Sequence, residues 1–390
     1  MAEVLHTILT GAWSRKRRLL ATAISVILGV AFLMGTLVIG TSARAGFETA
    51  FGDANAGTDA LVRSADQLDA GEQPLSRPFD EAVAQTILSV EGVTKVEPVV
   101  EGVAQIMTAD GELLGGNGPP TLGAAWIEDP ALTGYELAEG RAPAAPGEVV
   151  VDKKSATDGD LAVGDVVTIL TPDRVEATVV GIATFGDEDS LGGTTLAAFA
   201  LPEAQRVLLG GPGQVTGVVV GAAEGIDQAQ LIQRLEPALP ADLEAITGDD
   251  LTEEQQEAIE SDFLGVFVTG LLAFAGIALL VAAFSIFNTF TILAAQRTRE
   301  SALLRTLGAS RAQVLIAGVA EAAVVGVLGA ALGVAGGIGL AQALLALRGS
   351  AGMGLPVDGI TVNGSHLAVA AGVGVVVTIA GGLAPAWRAA

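Results

Sequence analysis

The sequence predicts a membrane protein with four transmembrane α-helices and a large α+β extracytoplasmic domain inserted between the first and second spans. Of its 390 residues, 51% are hydrophobic, and the mean hydropathy is +0.56. Long apolar runs lie at the start and in the last third of the chain. The stretch between them, residues 41–262, holds 40 of the 44 acidic residues but 10 of the 20 basic ones. This combination is typical of an acidic soluble domain attached to a membrane unit with basic edges.

Composition also excludes several classes of function. The net charge of −24 disfavours nucleic acid as a partner. The absence of cysteine excludes disulfides and thiolate metal sites. His6 and His366 are far apart in the chain, so a zinc site with histidine ligands is not expected. The acidic residues 187–189 lack the spacing of a calcium-binding EF-hand loop and are predicted to be solvated.

No catalytic constellation is visible in the sequence. The extracytoplasmic domain has serines but no histidine to pair with them, which argues against a Ser-His-Asp hydrolase. No lysine follows a glycine, so the phosphate-binding motif G-x-x-x-x-G-K-[ST] does not occur. We therefore predict no enzyme activity, no cofactor and no metal for this chain, and no binding of ATP in the P-loop manner.

The first span is predicted at residues 19–40, which contain 22 residues without a charge. At about 1.5 Å per residue they extend roughly 33 Å, enough to cross a bilayer core of about 30 Å. The basic residues 15–18 place residues 1–18 in the cytoplasm. A cleaved signal peptide, ending at Ala43 and Ala45, is the alternative, but its apolar run would be only about 7–15 residues long.

Residues 41–262 are long enough to bury a core of their own. Three helices are predicted in this domain. The first begins near Phe79, because the proline before it is favoured in the first turn of a helix. These helices cover residues 79–90, 203–209 and 228–235. Short runs rich in β-branched residues predict strands at residues 96–100, 105–108, 149–151, 166–170, 177–180 and 217–220.

A long helix is predicted to lead from this domain into the second span. Thr252 and Gln255 have the spacing of a capping box, and the helical pattern then continues to residue 296. We expect residues 263–295 to span the membrane and the preceding residues to form a rigid stalk. A break at Gly265 or Gly270 is the alternative, since glycine weakens a helix.

Two further spans are predicted at residues 312–347 and 366–385, separated by an outer loop at 348–365. With the N-terminus inside, residues 296–311 and 386–390 are cytoplasmic. Nine of the ten basic residues outside the large domain then lie on the cytoplasmic side. The number of spans and the placement of basic residues therefore predict the same orientation.

Residues 296–311, here called the connecting segment, are predicted to form a short amphipathic helix. Leu303, Leu304 and Leu307 fall on one face, whereas the other face carries Arg297, Ser301 and Arg305. Gly308 is suited to end this helix, and Ser310 with Gln313 forms a capping box that would start the next one. A short rigid helix could transmit a displacement imposed by a bound partner protein to the spans on either side. An ordinary basic loop that anchors two spans is the alternative.

Polar and small residues within the predicted spans are further candidates. Gly329, Gly333 and Gly337 recur at every fourth residue, a spacing that lets helix backbones approach closely. Glu321 is a functional candidate because acidic groups are costly in a membrane, although pairing with a nearby arginine or backbone group is the alternative. Asn288 is predicted to form a hydrogen bond between helices.

Several segments resemble ABC-transporter permeases of the FtsX/MacB type. Residues 296–313 (QRTRESALLRTLGASRAQ) are similar to the family's R-T-R-E-x-x-x-L-R-x-x-G-A-S-R segment. Residues 140–150 (GRAPAAPGEVV) are similar to its G-R-x-P-x-x-x-G-E-V-V, and residues 17–29 and 383–390 also match. The resemblance covers essentially the whole chain. It implies that residues 41–262 are similar to the MacB periplasmic core domain, and that Glu321 matches a glutamate common at that place.

The resemblance implies a function for the connecting segment as a coupling helix against a separate ATPase subunit. The residues it places in that contact are Arg297, Arg299, Glu300, Leu303, Leu304, Arg305 and Leu307. It further implies a multi-pass protein of a bacterial plasma membrane whose partners are an ABC ATPase subunit, a second permease half or second copy, the lipid membrane and an extracytoplasmic protein.

Two functions fit this resemblance. The first is a permease subunit that couples a partner's ATP hydrolysis to movement of its outer domain, for export or extraction of a substrate. The second is a mechanotransmission scaffold of FtsX type that transports nothing and activates an extracytoplasmic partner. An outer-domain enzyme anchored by the spans is a third, weaker hypothesis. The chain ends soon after Arg388, where the family usually continues, so we expect a fragment of a two-half, actinobacterial-type permease or a half that dimerises.

Overall fold

The computed structural model describes residues 16–69, 74–115, 120–259, 264–306, 310–347, 357 and 359–389. The chain divides into two compact units. The membrane unit comprises Met1–Ser42, Leu264–Leu347 and Gly359–Ala390, and the outer unit comprises Ala43–Phe263 and Arg348–Asp358.

Nine α-helices lie in the described part of the chain. They are α1 (Lys16–Ala54), α2 (Val83–Leu88), α3 (Lys153–Asp158), α4 (Leu201–Leu208), α5 (Gln228–Leu235), α6 (Gly248–Ile259), α7 (Gly265–Thr306), α8 (Arg311–Ala346) and α9 (Gly364–Ala389).

The strands all belong to the outer unit. Those described are β1 (Ala60–Ser64), β2 (Gln67–Asp69), β3 (Pro74–Ser76), β4 (Phe79–Asp80), β5 (Val93–Val99), β6 (Glu101–Val103), β7 (Gln105–Met107), β8 (Thr121–Ala125), β9 (Tyr135–Gly140), β10 (Glu148–Asp152), β11 (Val166–Leu170), β12 (Arg174–Phe185), β13 (Thr195–Phe199), β14 (Gln214–Val215), β15 (Gly217–Ala222) and β16 (Leu243–Thr247).

Four of the described helices are long and apolar enough to cross a membrane. The qualifying stretches are Ala23–Ala54, Gly265–Gln296, Arg311–Ala346 and Gly364–Arg388. The α+β outer unit is inserted between the first and second of them, so the predicted fold class is confirmed. The helix of the first span continues beyond residue 40 as far as Ala54.

The predicted glycine row lies where α8 approaches α1. Gly329, Gly333 and Gly337 are all buried. A Cβ atom at Gly333 would lie 2.7 Å from the Cβ of Val30, and one at Gly337 would lie 2.5 Å from the carbonyl oxygen of Ala31. Because these distances are shorter than any tolerated carbon contact, α8 can approach α1 this closely only with glycine at these positions.

Small residues also allow α9 to pack within this bundle. A Cβ at Gly374 would lie 2.5 Å from Cγ2 of Val30, and one at Gly382 would lie 2.9 Å from Cβ of Ala322. Val30 has no exposed surface. It therefore lies at the centre of the membrane unit, between the glycines of two other helices.

Hydrogen bonds join α1 to other parts of the membrane unit near its outer end. The hydroxyl of Thr41 lies 3.1 Å from Nδ1 of His366, at the start of α9. The hydroxyl of Ser42 accepts a 2.9 Å hydrogen bond from the backbone N–H of Thr361. The sequence reasoning did not connect these residues, since 319 or more positions separate each pair.

The outer unit contains two main sheets. One has four strands in the order β16-β1-β15-β5, and all its pairings are antiparallel. The other has eight strands, with the order β6-β8-β13-β10-β12-β11-β7 and β9 paired to β12. One cluster of buried aliphatic and aromatic side chains, which includes Val62, Val151 and Phe199, contains residues of both sheets. A smaller cluster, which includes Val150 and Ala198, belongs to the larger sheet. Strand β5 of the first sheet passes directly into β6 of the second.

A buried carboxylate connects three elements of the larger sheet. Asp152 at the end of β10 caps α3 by accepting a hydrogen bond from the backbone N–H of Ser155 at 2.9 Å. It also accepts one from the Ser155 hydroxyl at 2.5 Å and one from the N–H of Leu196 in β13 at 2.7 Å. These bonds satisfy a charged group that would be costly to bury alone.

Several predicted elements of the outer unit need correction. The helix predicted at residues 79–90 is wrong at its start, because Phe79 and Asp80 form β4 and the helix is limited to α2. The capping box at Thr252 is also wrong. Helix α6 begins at Gly248, the Thr247 hydroxyl accepts a hydrogen bond from the N–H of Asp250 at 3.0 Å, and Thr252 instead bonds back to the carbonyl of Gly248.

The remaining strands and helices predicted within residues 41–262 match strands or helices of the structure. Strand β11 and helix α5 have the predicted bounds. The sequence analysis did not predict the short helix α3 or several of the strands, namely β1, β2, β3, β6, β8, β9, β14 and β16. The predicted stalk would pass through residues 260–263, which lie outside the described residues.

The glycine row yields a matched pair of variants. Replacing Gly333 with leucine should destabilise the membrane unit by about 1–3 kcal/mol, because the new side chain would have to displace Val30 in a packed core. Gly339 lies on the same helix, is exposed and has no neighbouring atom within 4 Å of the place a Cβ would take, so Gly339→Leu is the control. Thermal unfolding of the full chain in detergent measures the difference. Equal melting temperatures for the two variants would contradict the packing described.

Candidate functional site

The connecting segment begins as a direct continuation of the second span. Helix α7 runs unbroken from Gly265 to Thr306, which at about 1.5 Å per residue is roughly 63 Å. The prediction of a separate short helix is therefore wrong, because the helical part of the segment is the end of α7. The physical reason is that residues 277–306 contain neither glycine nor proline, and nothing in them ends a helix.

The next helix begins at the predicted place. The hydroxyl of Ser310 accepts a hydrogen bond from the backbone N–H of Gln313 at 3.3 Å, and the Gln313 side chain accepts one from the N–H of Ser310 at 2.8 Å. This reciprocal pair is the predicted capping box, and it starts α8 at Arg311. Between the two helices, Leu307 and Gly308 lie outside the described residues.

The residues expected to contact an ATPase subunit are only partly described. The backbone of Arg297, Arg299, Glu300, Leu303, Leu304 and Arg305 is helical and belongs to α7, but their side chains lie outside the described part of the structure. The flanking side chains of Gln296, Thr306, Ser310 and Arg311 are exposed. The segment is therefore two helix ends joined by a short link, with its described side chains open to a partner.

The two polar candidates within the spans have different surroundings. Glu321 on α8 is buried, with 8% of its surface exposed. It adjoins Ala322, which packs against Gly382 of α9. Asn288 on α7 is exposed. It lies at helical spacing from the exposed apolar residues Phe284 and Ile292, so its side chain points to the surface of the membrane unit.

The segment of residues 140–150 in the outer unit is a loop closed by one carboxylate. Glu148 at the start of β10 pairs with the guanidinium of Arg141 through two hydrogen bonds, one of them 2.8 Å long. The same carboxylate accepts hydrogen bonds from the backbone N–H groups of Ala144 at 2.8 Å and Ala145 at 3.1 Å. The arginine and glutamate of the motif G-R-x-P-x-x-x-G-E-V-V thus fix the turn between β9 and β10.

Electrostatics of this loop favour the charged form of Glu148. The hydrogen bonds from Arg141, followed by that from Ala144, lower the pKa of Glu148 from 4.5 to about 2. The same pair raises the pKa of Arg141. Both groups therefore stay ionised at neutral pH. The sequence pattern identified the motif, but its spacing of seven residues did not predict that the two side chains pair.

Comparison with protein families assigns both parts of the chain. Residues 19–238 match the model of the MacB-like periplasmic core domain. Residues 272–390 match the model of the FtsX-like permease C-terminal region. The first match covers the first span and the outer unit as far as residue 238. The second begins within the second span and includes the connecting segment and the last two spans.

Two curated relatives are ABC transporter permeases described as uncharacterized. One, from Mycobacterium tuberculosis, is 27% identical over 252 residues, which is 64% of this chain and 28% of the relative. The other, from Methanocaldococcus jannaschii, is 28% identical over 191 residues, covering 49% of this chain and 46% of the relative. The chain thus spans less than half the length of each.

Solved structures of extracytoplasmic domains are also similar. The periplasmic region of MacB from Actinobacillus actinomycetemcomitans is 12% identical with a TM-score of 0.38, covering 51% of this chain and 94% of that structure. The extracellular domain of the noncanonic ABC-type transporter YknZ from Gram-positive bacteria is 13% identical with a TM-score of 0.33, covering 49% and 100%.

The loop closed by Glu148 gives a pH-dependent prediction. Glu148→Gln removes the charge that holds Arg141, so we expect a lower melting temperature for the outer unit at neutral pH. The pKa of Glu148 is lower in the folded state than in the unfolded chain. The stability that the wild type gains over the variant is therefore fully present above about pH 4.5 and is lost as the pH falls towards 2. Thermal unfolding of the full chain at a series of pH values measures it. A difference between variant and wild type that did not shrink in acid would contradict this account.

Proposed function

The chain belongs to the family of ABC transporter permeases of the FtsX/MacB type, and from this premise we propose that it couples ATP hydrolysis by a separate ATPase subunit to movement of its extracytoplasmic domain. The ATPase would bind the connecting segment. Its catalytic cycle would displace the ends of α7 and α8 that this segment joins. The movement would serve export or extraction of a substrate. In this proposal the chain itself carries out no chemical step.

The observation that carries this proposal is the unbroken helix α7. A helix of roughly 63 Å exceeds the hydrocarbon core of a bilayer, about 30 Å thick, by several turns. Its last ten residues follow the apolar stretch that ends at Gln296 and include three of the chain's arginines. A partner that holds those turns would therefore hold a rigid extension of the second span, with no flexible joint in between.

Close packing inside the membrane unit supports concerted motion of its helices. The glycine row brings α8 against Val30 and Met34 of α1, and Gly381 brings α9 against Ile286 of α7. Contacts of this kind interlock neighbouring helices, so displacement of α7 or α8 should move α1 and α9 as well. Helix α1 continues from this bundle to Ala54, into the part of the chain that forms the outer unit.

The same packing also favours the second candidate, a mechanotransmission scaffold. A tightly packed bundle transmits force without requiring a substrate path between its helices. Both candidates need the ATPase, and they differ in the partner outside the cell. Recovery of a cell-wall hydrolase with the full-length chain from crosslinked membranes would favour the scaffold, whereas transport of a molecule into the medium would favour the permease.

The predicted orientation can be tested by cysteine labelling, since the chain has no cysteine of its own. Ser155, an obvious outer position in the sequence, is buried against Asp152 and is unsuitable. Glu112 is exposed in the outer unit and Ser310 is exposed in the connecting segment. An impermeant maleimide should label Glu112→Cys on intact cells and Ser310→Cys only after permeabilisation. Labelling of both on intact cells would contradict a cytoplasmic N-terminus with four spans.

The proposed ATPase contact predicts a specific loss of binding. Leu304→Asp combined with Leu307→Asp should abolish co-purification of the ATPase. A charge in a desolvated groove costs on the order of 2–7 kcal/mol. Ser301→Asp, on the opposite predicted face, is the control and should retain the partner. The measurement is the amount of ATPase recovered with the detergent-solubilised chain. Wild-type recovery with the double variant would mean that another segment binds the ATPase.

A further inference from the structure

The outer unit contains a cavity of about 230 Å³ between its two main sheets, here called the inter-sheet cavity. One wall is the face of the larger sheet that carries Leu122 and Ala198. The other wall includes Leu61 and Val219 of the smaller sheet. Phe51 at the end of α1 and Leu251 on α6 also line the cavity. It is accordingly built from elements that are far apart in the chain, which is why no sequence pattern pointed to it.

Most of the lining is apolar, and part of it is aromatic. Trp126, Tyr135 and Phe185 contribute rings, and the rings of Tyr135 and Phe185 meet edge to face with their centroids 5.0 Å apart. Small-molecule sites are commonly concave and lined this way, with a few polar groups that fix orientation. Their volumes usually run from about 300 to 1,000 Å³, so this cavity suits a small ligand or one end of a larger one.

A single charged side chain, Glu101, lines the cavity among the residues that the structure describes. Its position is fixed by the backbone. Its N–H donates a 3.0 Å hydrogen bond to the hydroxyl of Thr216, and the Thr216 hydroxyl in turn donates to the carbonyl of Val99. Glu101 is the first residue of β6, immediately after the chain passes from one sheet to the other.

The carboxylate of Glu101 has no hydrogen-bond or ion-pair partner within the described part of the chain. Glu101 is exposed to solvent, so its carboxylate is accessible to a ligand that enters the cavity. The surrounding protein nevertheless raises its pKa by desolvation. The charge of Glu101 also contributes to the raised pKa of Tyr135, although burial of the phenol is the main cause. A carboxylate that has no cationic partner among the described residues and lies beside an apolar, aromatic lining can pair with the positive group of a ligand whose apolar body occupies the cavity.

We propose that the inter-sheet cavity binds a small organic cation, in which an ammonium group pairs with Glu101 and an apolar body occupies the space between the sheets. The aromatic rings strengthen this assignment, because the faces of tryptophan and tyrosine attract cations. The domain around the cavity is strongly acidic, with 40 acidic and 10 basic residues in 41–262, so its long-range field draws cations and repels anions. An anionic ligand would meet no positively charged side chain among the described residues that line the cavity.

Polar side chains also form part of the lining. Nδ2 of Asn55 donates hydrogen bonds to the hydroxyl of Thr252 at 3.0 Å and to Oε1 of Gln255 at 2.8 Å. Both Asn55 and Gln255 line the cavity. These bonds hold the end of α1 against α6, and a ligand that filled the cavity would stabilise the same arrangement.

The test uses the full chain in detergent and two small probes that share a benzyl group. Benzyltrimethylammonium carries a positive charge, whereas phenylmethanesulfonate carries a negative one. Trp13→Phe with Trp387→Phe leaves Trp126 as the one tryptophan, since the sequence has three, so its fluorescence reports on the cavity. We expect saturable binding of the cation and at least about tenfold weaker binding of the anion, a difference of about 1.4 kcal/mol.

Variants separate the proposed charge contact from general effects. Glu101→Gln keeps the size of the side chain and should reduce affinity for the cation about tenfold or more. Glu112→Gln, an exposed glutamate outside the cavity, is the matched control and should bind as the wild type does. Ala124→Leu fills part of the cavity and should weaken binding without removing a charge. Circular dichroism confirms that each variant is folded.

Two results would overturn the proposal. One is the absence of saturable cation binding up to millimolar concentration in the folded chain. The other is equal affinity of the wild type and Glu101→Gln, or of the two probes, which would show that Glu101 does not select charge. The experiment needs no ATPase and no orientation in a membrane, so its outcome is independent of the function proposed above.

Discussion

The membrane unit depends on the close approach of α8 to α1 at three glycines. Val30 and Met34 of α1 occupy the space that side chains at Gly333 and Gly337 would fill. In a bilayer, apolar helices gain little by leaving lipid for each other, so their association relies on contact of complementary shape. Glycine at every fourth position supplies that shape along a helix face. The same residue Val30 then meets Gly374 of α9, which makes the bundle a set of interlocked helices.

The outer unit is organised around a different constraint, the passage of the chain from one sheet to the other at Val99, Val100 and Glu101. Val100 has no exposed surface, and its carbonyl accepts a hydrogen bond from the N–H of Ala125 at 2.8 Å. The backbone there is fixed from both sides, so the side chain of Glu101 is presented to the space between the sheets. A structural requirement of the fold thereby places a carboxylate, which has no hydrogen-bond or ion-pair partner among the described residues, beside the apolar and aromatic lining.

Parts of the candidate site could be predicted because they depend on local sequence. The capping box of Ser310 and Gln313 involves residues three apart, and helix geometry alone brings them together. The length of α7 was harder to predict from the sequence. The sequence analysis ended the long helix at residue 296 and placed a separate short helix after it, whereas the uninterrupted run of helix-forming residues carries α7 to Thr306. The capping box expected at Thr252 is absent because Thr247 and Asp250 cap the same helix five residues earlier.

The sequence by itself determined the number of spans, the insertion of an α+β domain between the first and second, and the family, because hydropathy, charge distribution and short motifs are properties of contiguous residues. Only the tertiary structure decided which glycine meets which valine, that Thr41 contacts His366, and that Glu101 faces a cavity. Those pairings join residues separated by tens to hundreds of positions. They depend on how helices and sheets pack, and no periodicity along the chain records that packing.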